Sequence, residues 1–93
     1  MKNILKRFDL SGKTAILTGA SRGLGLAMAK AMAEAGANIV ITDVLDTKKA
    51  VKEIEAMGVK ALGLKVDVTK QKDIDNMVKK TVAKFKRIDI LVN

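Results

Sequence analysis

Residues 18–25 read Thr18-Gly-Ala-Ser-Arg-Gly-Leu-Gly25, set between the apolar run 14–18, Thr-Ala-Ile-Leu-Thr, and an alanine-rich stretch that continues to Ala35. A short run of this kind suits a strand buried on both faces, and the alanine-rich stretch suits a helix. The glycines at 19, 23 and 25 serve the junction between them. They let the backbone turn sharply, bring amide N–H groups close to an anion, and let the helix pack tightly on a sheet with its positive N-terminal end toward that anion. A glycine triplet alone marks only a turn; a strand before it and a helix after it make Gly19, Gly23 and Gly25 a candidate phosphate cradle, with Ser21 and neighbouring amides as further donors.

Strands and helices alternate along the rest of the chain. A helix is expected over 24–35, where Leu24, Met28 and Met32 recur every four residues among alanines and Gly36 supplies a stop. The β-branched run 38–43 reads as a second strand ending in Asp43. A second helix follows over 48–57, capped by Asp46 or Thr47, ended by Gly58, and presenting Val51, Ile54 and Met57 to a core. Residues 60–66 alternate less cleanly and carry Gly63, yet fit a third strand. The best amphipathic pattern lies over 70–85, where Ile74, Met77, Val78, Thr81, Val82 and Phe85 fall at spacings of three and four. Residues 88–93 open a fourth strand. Such alternation implies an α/β fold, with parallel strands joined by right-handed crossovers in the order 3-2-1-4 and three helices: the first half of a Rossmann-type sheet.

Composition narrows the chemistry. The 93 residues suffice for one small domain that buries roughly 60–65% of the surface its unfolded form exposes. Apolar residues make up 48% and proline is absent, a balance suited to folding rather than disorder. There is no cysteine, histidine, tyrosine or tryptophan, which excludes disulfides, thiolate metal sites and most side chains used for acid–base work near neutral pH. No catalytic residue and no metal site is therefore expected. The net charge of +8 comes from lysines spread along helix faces without interleaved aromatics, a solvated basic surface rather than a nucleic-acid site. No apolar stretch approaches the ~20 residues that span a bilayer, and the opening residues lack the apolar core of a signal peptide, so no membrane partner and a cytoplasmic location are expected.

Two carboxylates fall beside the glycine turn. Asp43 lies 18 positions after Gly25 at the tip of the second strand, close to the spacing of an acid that accepts hydrogen bonds from an adenosine ribose. A carboxylate there repels a ribose 2′-phosphate, which favours NAD over NADP; a solvated turn or helix-end acid is the plainer role. Arg22 could pair with a 2′-phosphate or simply be solvated. Asp67 and Val68 end the third strand at the same edge, where a carboxylate and an amide could meet an adenine, although taken alone Asp67 reads as a turn or cap residue leading to Thr69.

Together, Thr18-Gly-Ala-Ser-Arg-Gly-Leu-Gly25, Asp67-Val-Thr69 and Ile88-Asp-Ile-Leu-Val-Asn93 resemble the T-G-x-x-x-G-x-G, post-strand-three and I-D-x-L-V-N-N-A-G motifs of the short-chain dehydrogenase/reductase family. The lead-in Phe8-Asp-Leu-Ser-Gly-Lys13 is similar to that of gluconate 5-dehydrogenase-like members. The resemblance implies that Gly19, Ser21, Arg22, Gly23, Leu24 and Gly25 hold the phosphates and adenosine of a dinucleotide. It further implies that Asp43 binds the ribose and selects NAD, that Asp67 and Val68 contact adenine, and that the Asn93 backbone lies beside the cofactor. Lys86 stands where relatives often carry glycine, so some strain is expected at the entry to strand four. The family's catalytic Ser and Y-x-x-x-K fall past position 93. Residues 1–93 are thus expected to be a single partial dinucleotide-binding domain, truncated in its fourth strand and inactive alone, whose parent interconverts a secondary alcohol and a ketone as a homo-oligomer, a dimer or tetramer. The alternatives are a free-standing nucleotide-binding module, a non-functional remnant and a basic nucleic-acid-binding domain.

Overall fold

The computed structural model describes residues 9–93; residues 1–8, the segment judged against a signal peptide and including Phe8 of the lead-in, lie outside the described residues. Among the described residues strand and helix alternate as β1 (Thr14–Thr18), α1 (Gly23–Glu34), β2 (Asn38–Asp43), α2 (Lys48–Glu55), β3 (Ala61–Lys65), α3 (Gln71–Phe85) and β4 (Ile90–Val92). The strands form one parallel sheet in the order β3-β2-β1-β4. Two steps outward in one direction and a return past β1 in the other, all by right-handed crossovers, put α1 and α2 on one face and α3 on the opposite face.

The expected bounds of β1 and β2 hold, and other ends shift for local reasons. Helix α2 stops at Glu55 because the next turn tightens: the Met57 amide donates to the Ile54 carbonyl and the Gly58 amide to that of Glu55. Lys70, in extended conformation, caps rather than begins α3. Strand β4 is reduced to Ile90–Val92, paired with Ala15, Ile16 and Leu17.

The core differs more from expectation than the topology does. On the first face Ala15, Leu17, Ile39 and Ile41 of the sheet meet Ala29 and Ala33 of α1 and Ala50 and Ile54 of α2. The stripe of larger residues on α1 is not what faces the sheet: Leu24 is 79% exposed and Met28 is also exposed, with Met32 only flanking the core. Methyl-sized side chains let the α1 axis come close, and a stripe of long ones would hold it off. On α2, Met57 lies beyond the helix end and is exposed, and Ala50 joins Ile54 in the core instead. Gly63 of β3 makes room for α2, since a β-carbon there would press on the Thr47 hydroxyl and come within 2.7 Å of the Val51 side chain.

On the opposite face Ile16, Val40, Leu64 and Val66 pack against Met77 of α3, with Ile74 and Phe85 half-buried at the margin. One helix alone covers a narrow band. Val78 and Val82, expected to be inward, are exposed, and Leu91 of β4 is 56% exposed on the uncovered part of the sheet. Thr81 is buried, its hydroxyl donating to the Met77 carbonyl at 2.7 Å so that its own polar atom is not stranded. Among the described residues no helix is long and apolar enough to cross a membrane.

The connection from α3 to β4 carries two local devices. Lys86 adopts φ 66°, the one non-glycine residue with positive φ among those described, and ends the helix by donating its amide to the Val82 carbonyl at 2.9 Å. The strain read from the sequence is therefore present, because its Cβ crowds the neighbouring carbonyl in this conformation. Three residues later the Asp89 carboxylate accepts the Thr14 amide at 2.9 Å and both ends of the Arg87 guanidinium fork at 2.7 Å, tying the start of β1 to the approach to β4. The Arg87 hydrogen bond, then the Thr14 amide, hold the Asp89 carboxyl below its ordinary 3.8.

Two outcomes follow. Lys86→Gly raises stability by about 1 kcal/mol, seen as a melting temperature higher by roughly 4–8 °C, whereas Lys86→Ala does not. Because the folded carboxyl of Asp89 titrates below 3.8, its contribution is present above that pH and lost as pH falls through the folded value. The stability gap between wild type and Asp89→Asn, measured by urea unfolding, is thus constant from neutral pH down to about 5 and closes in stronger acid.

Candidate functional site at the strand ends

Register brings the chemistry to one edge. Thr18 pairs with Thr42, and Thr42 with Leu64, so β1, β2 and β3 finish almost level. Beyond these ends lies a cleft of about 390 Å³ lined by five of the residues singled out from the sequence, Gly19, Asp43, Asp67, Val68 and Asn93. It is also lined by Thr18, Thr42, Val44 and Val66, which sequence reasoning did not assign to the site. Their signal was positional: each is the last residue of a strand or a neighbour of a selected acid. Ser21, Arg22, Gly23, Leu24 and Gly25 do not line the cleft; they form the turn beside it and the first turn of α1.

The three glycines divide by physical role. Gly19 and Gly23 hold φ of 61° and 60° with open space where a side chain would go, so conformation is what requires glycine there. Gly25 has ordinary φ but no room: a β-carbon would sit against the Gly19 carbonyl oxygen and 2.9 Å from the Ala20 Cα. Its absence lets α1 start directly on the end of β1. Arg22 occupies the N-cap position in extended conformation without a side-chain cap, and the first turn of α1 holds no acidic residue. The leading amides of α1 thus keep their positive end without a protein carboxylate upon it, the arrangement that accepts an anion.

Asp43 reaches across to this turn. One carboxylate oxygen, Oδ2, accepts the Ser21 amide at 3.1 Å and the Ser21 hydroxyl at 2.5 Å, while Oδ1 accepts the Leu45 amide at 3.2 Å. Burial pushes the Asp43 carboxyl up, but the Ser21 hydroxyl and the amides of Leu45, Ser21 and Val44 outweigh it and leave the group below its ordinary value. Backbone bonds lock the surroundings: the Ala20 amide donates to the Thr42 carbonyl at 3.2 Å, and the Val66 amide to that of Asp43 at 2.9 Å.

Asp67 has the turn geometry read from the sequence. Its Oδ1 accepts the Thr69 amide at 2.9 Å and hydroxyl at 2.6 Å, while its own amide donates to Asp73 of α3. The Thr69 hydroxyl, then the Thr69 amide, hold its carboxyl below the ordinary value. At the other end of the cleft the Thr18 hydroxyl reaches the Val92 carbonyl and Asn93 Oδ1, each at 3.4 Å. The edge thus offers helix-end amides for an anion, flanked by two ionised carboxylates able to accept hydroxyl or amino hydrogens.

Comparison with known proteins converges on one group. Residues 13–93 match the family model described as short chain dehydrogenase. The chain is 40% identical over 90 residues to a 2-dehydro-3-deoxy-D-gluconate 5-dehydrogenase of Dickeya dadantii, covering 97% of this chain and 36% of that protein. It is 38% identical over 94 residues to an NAD-dependent glycerol dehydrogenase of Listeria innocua, covering 99% and 36%. A crystal structure of a dehydrogenase/reductase from Sinorhizobium meliloti superposes with a TM-score of 0.91 at 35% identity, covering all of this chain and 38% of that one. The chain spans about a third of the length of the curated relatives it matches.

The division among the glycines gives a direct test. Gly25→Ala costs about 1–3 kcal/mol by forcing α1 off the end of β1. Gly23→Ala costs about 1–2 kcal/mol through backbone strain alone and lowers hydrogen-exchange protection evenly across the core, whereas Gly25→Ala lowers it most in α1.

Proposed function

The chain belongs to the short-chain dehydrogenase family, whose members bind NAD(P), and on that premise we propose that its strand-end cleft binds the adenosine diphosphate half of the dinucleotide, with NAD preferred over NADP. One observation carries the reading: an ionised carboxylate, Asp43, stands at the lip of the cleft and is hydrogen-bonded to the glycine turn. The residues fit the group. The cleft has the volume of a small-ligand site, the turn beside it is kept open by glycines that bear no side chain, and the first turn of α1 itself holds no acidic residue.

In this reading Gly19, Ser21, Arg22, Gly23, Leu24 and Gly25 surround the phosphates and adenosine, the leading amides of α1 carrying most of the attraction. Asp43 accepts the ribose hydroxyls and repels a 2′-phosphate. Asp67 accepts from the adenine amino group while the Val68 amide donates to the ring, and the Asn93 backbone borders the path toward the nicotinamide. The bound dinucleotide supplies hydride exchange with a secondary alcohol or ketone. Proton transfer at the substrate oxygen needs a side chain of suitable acidity, and these 93 residues contain no tyrosine, histidine or cysteine. We therefore assign binding and orientation of the cofactor to this chain, and turnover to a whole protein that includes further residues. The names of the relatives, a keto-deoxy sugar acid dehydrogenase and a glycerol dehydrogenase, favour a polyhydroxylated substrate for that whole protein; self-association as a dimer or tetramer is proposed for it on the same family basis.

Fluorescence titration tests the binding step. NADH saturates the 93-residue chain, NADPH binds at least roughly tenfold more weakly, and Asp43→Asn removes most of that difference. Absence of saturable NADH binding overturns the proposal.

A further inference from the structure

Asp43 and Ser21 are 22 positions apart in sequence, yet Ser21 spends both its amide and its hydroxyl on one oxygen of that carboxylate. Two donors from one residue on Oδ2 hold the carboxylate in rotation, while the Leu45 amide bonds Oδ1 and the Val44 amide also faces the group. Ser21 sits between Gly19 and Gly23, both in the left-handed region with open space around them. The two ends of the segment are anchored by the buried Ala20, whose amide is bonded to β2, and by Gly25 packed on Gly19 and Ala20, whereas Arg22, Gly23 and Leu24 between them are exposed. A charge-assisted bond from a hydroxyl is among the stronger single links a side chain can make, and here it joins the exposed part of the turn to the end of β2.

We infer that Ser21 is a positioning residue, acting as a clasp that fixes the Asp43 carboxylate for ribose recognition and at the same time holds the glycine turn in register with β2. The inference rests on the reading of the cleft as a nucleotide site and goes beyond it: binding of the diphosphate by the turn and of the ribose by Asp43 become a single coupled event. The lowered titration of Asp43 agrees with this geometry.

Two measurements on the 93-residue chain test it, one of which needs no ligand. Carboxyl-carbon NMR titration of wild type, Ser21→Ala and Ser21→Thr reads the ionisation of Asp43, and calorimetric titration with ADP and with 2′-deoxy-ADP reads recognition of the ribose hydroxyl. Ser21→Ala shifts the Asp43 midpoint upward and shrinks the ADP preference over 2′-deoxy-ADP by roughly tenfold, to the level of Asp43→Asn, while Ser21→Thr keeps both near wild type. An unchanged Asp43 midpoint in Ser21→Ala overturns the clasp. So does an equal loss of affinity for both nucleotides with their ratio intact, since that is the signature of a turn residue with no hold on the carboxylate. If neither nucleotide saturates wild type, the nucleotide reading of the cleft fails, and the midpoint alone then decides whether Ser21 governs Asp43.

Discussion

The fold hangs on the contact between the start of α1 and the end of β1. Where residue 25 lacks a side chain, the helix begins against the Gly19 carbonyl and the Ala20 backbone rather than several ångströms away. From there Ala29 and Ala33 carry the same close approach along the sheet. A bulkier helix face would lift α1, lengthen the turn and move its amide end away from the strand edge, so tight packing and the anion-accepting geometry come from one cause. The crossovers then follow: once α1 lies on one face, β2 must enter on a fixed side of β1.

Charge is arranged with similar economy. The protein is strongly basic, yet among the described residues the cleft is lined by two aspartates and no lysine or arginine. An anion bound here is therefore held by backbone amides and helix polarity, which are directional and short-ranged, rather than by a cationic patch that would attract any polyphosphate. The acids on either side restrict what can accompany the anion to groups that donate hydrogen bonds. The lysines of α2 and α3 lie on exposed surfaces, and Lys84 also reaches back to donate to the Ala61 carbonyl of β3.

Much of this was legible in the sequence because the pattern there has a short physical range. Strand order, helix count and the level edge follow from alternating periodicities and from glycines whose neighbours define a turn. The side of each helix that meets the sheet was less legible. The recurrence of Leu24, Met28 and Met32 is a genuine helical period, but hydrophobicity alone does not say that the distance between α1 and the sheet is too short for them. Val78 and Val82 mislead for a related reason, since among the described residues α3 is alone on its face and fully buries only Met77 and Thr81. At the site, Asp43 and Asp67 were found by their place after strands, while the bond between Asp43 and Ser21 depends on where two distant segments meet in space. Thr18 and Thr42 escaped notice because a threonine at or next to the end of a strand is unremarkable until register places it beside another.

The flush strand ends also act as a ruler. From β3 to β4 the edge crosses three strand intervals of about 4.8 Å, roughly 14 Å in all. Asp67 marks one end of that length, Asn93 the other, and the glycine turn lies between them above β1. A compact ligand could satisfy one end and leave the other to water. A ligand that met both ends would have to extend across that distance, so the edge sets a length as well as a chemistry.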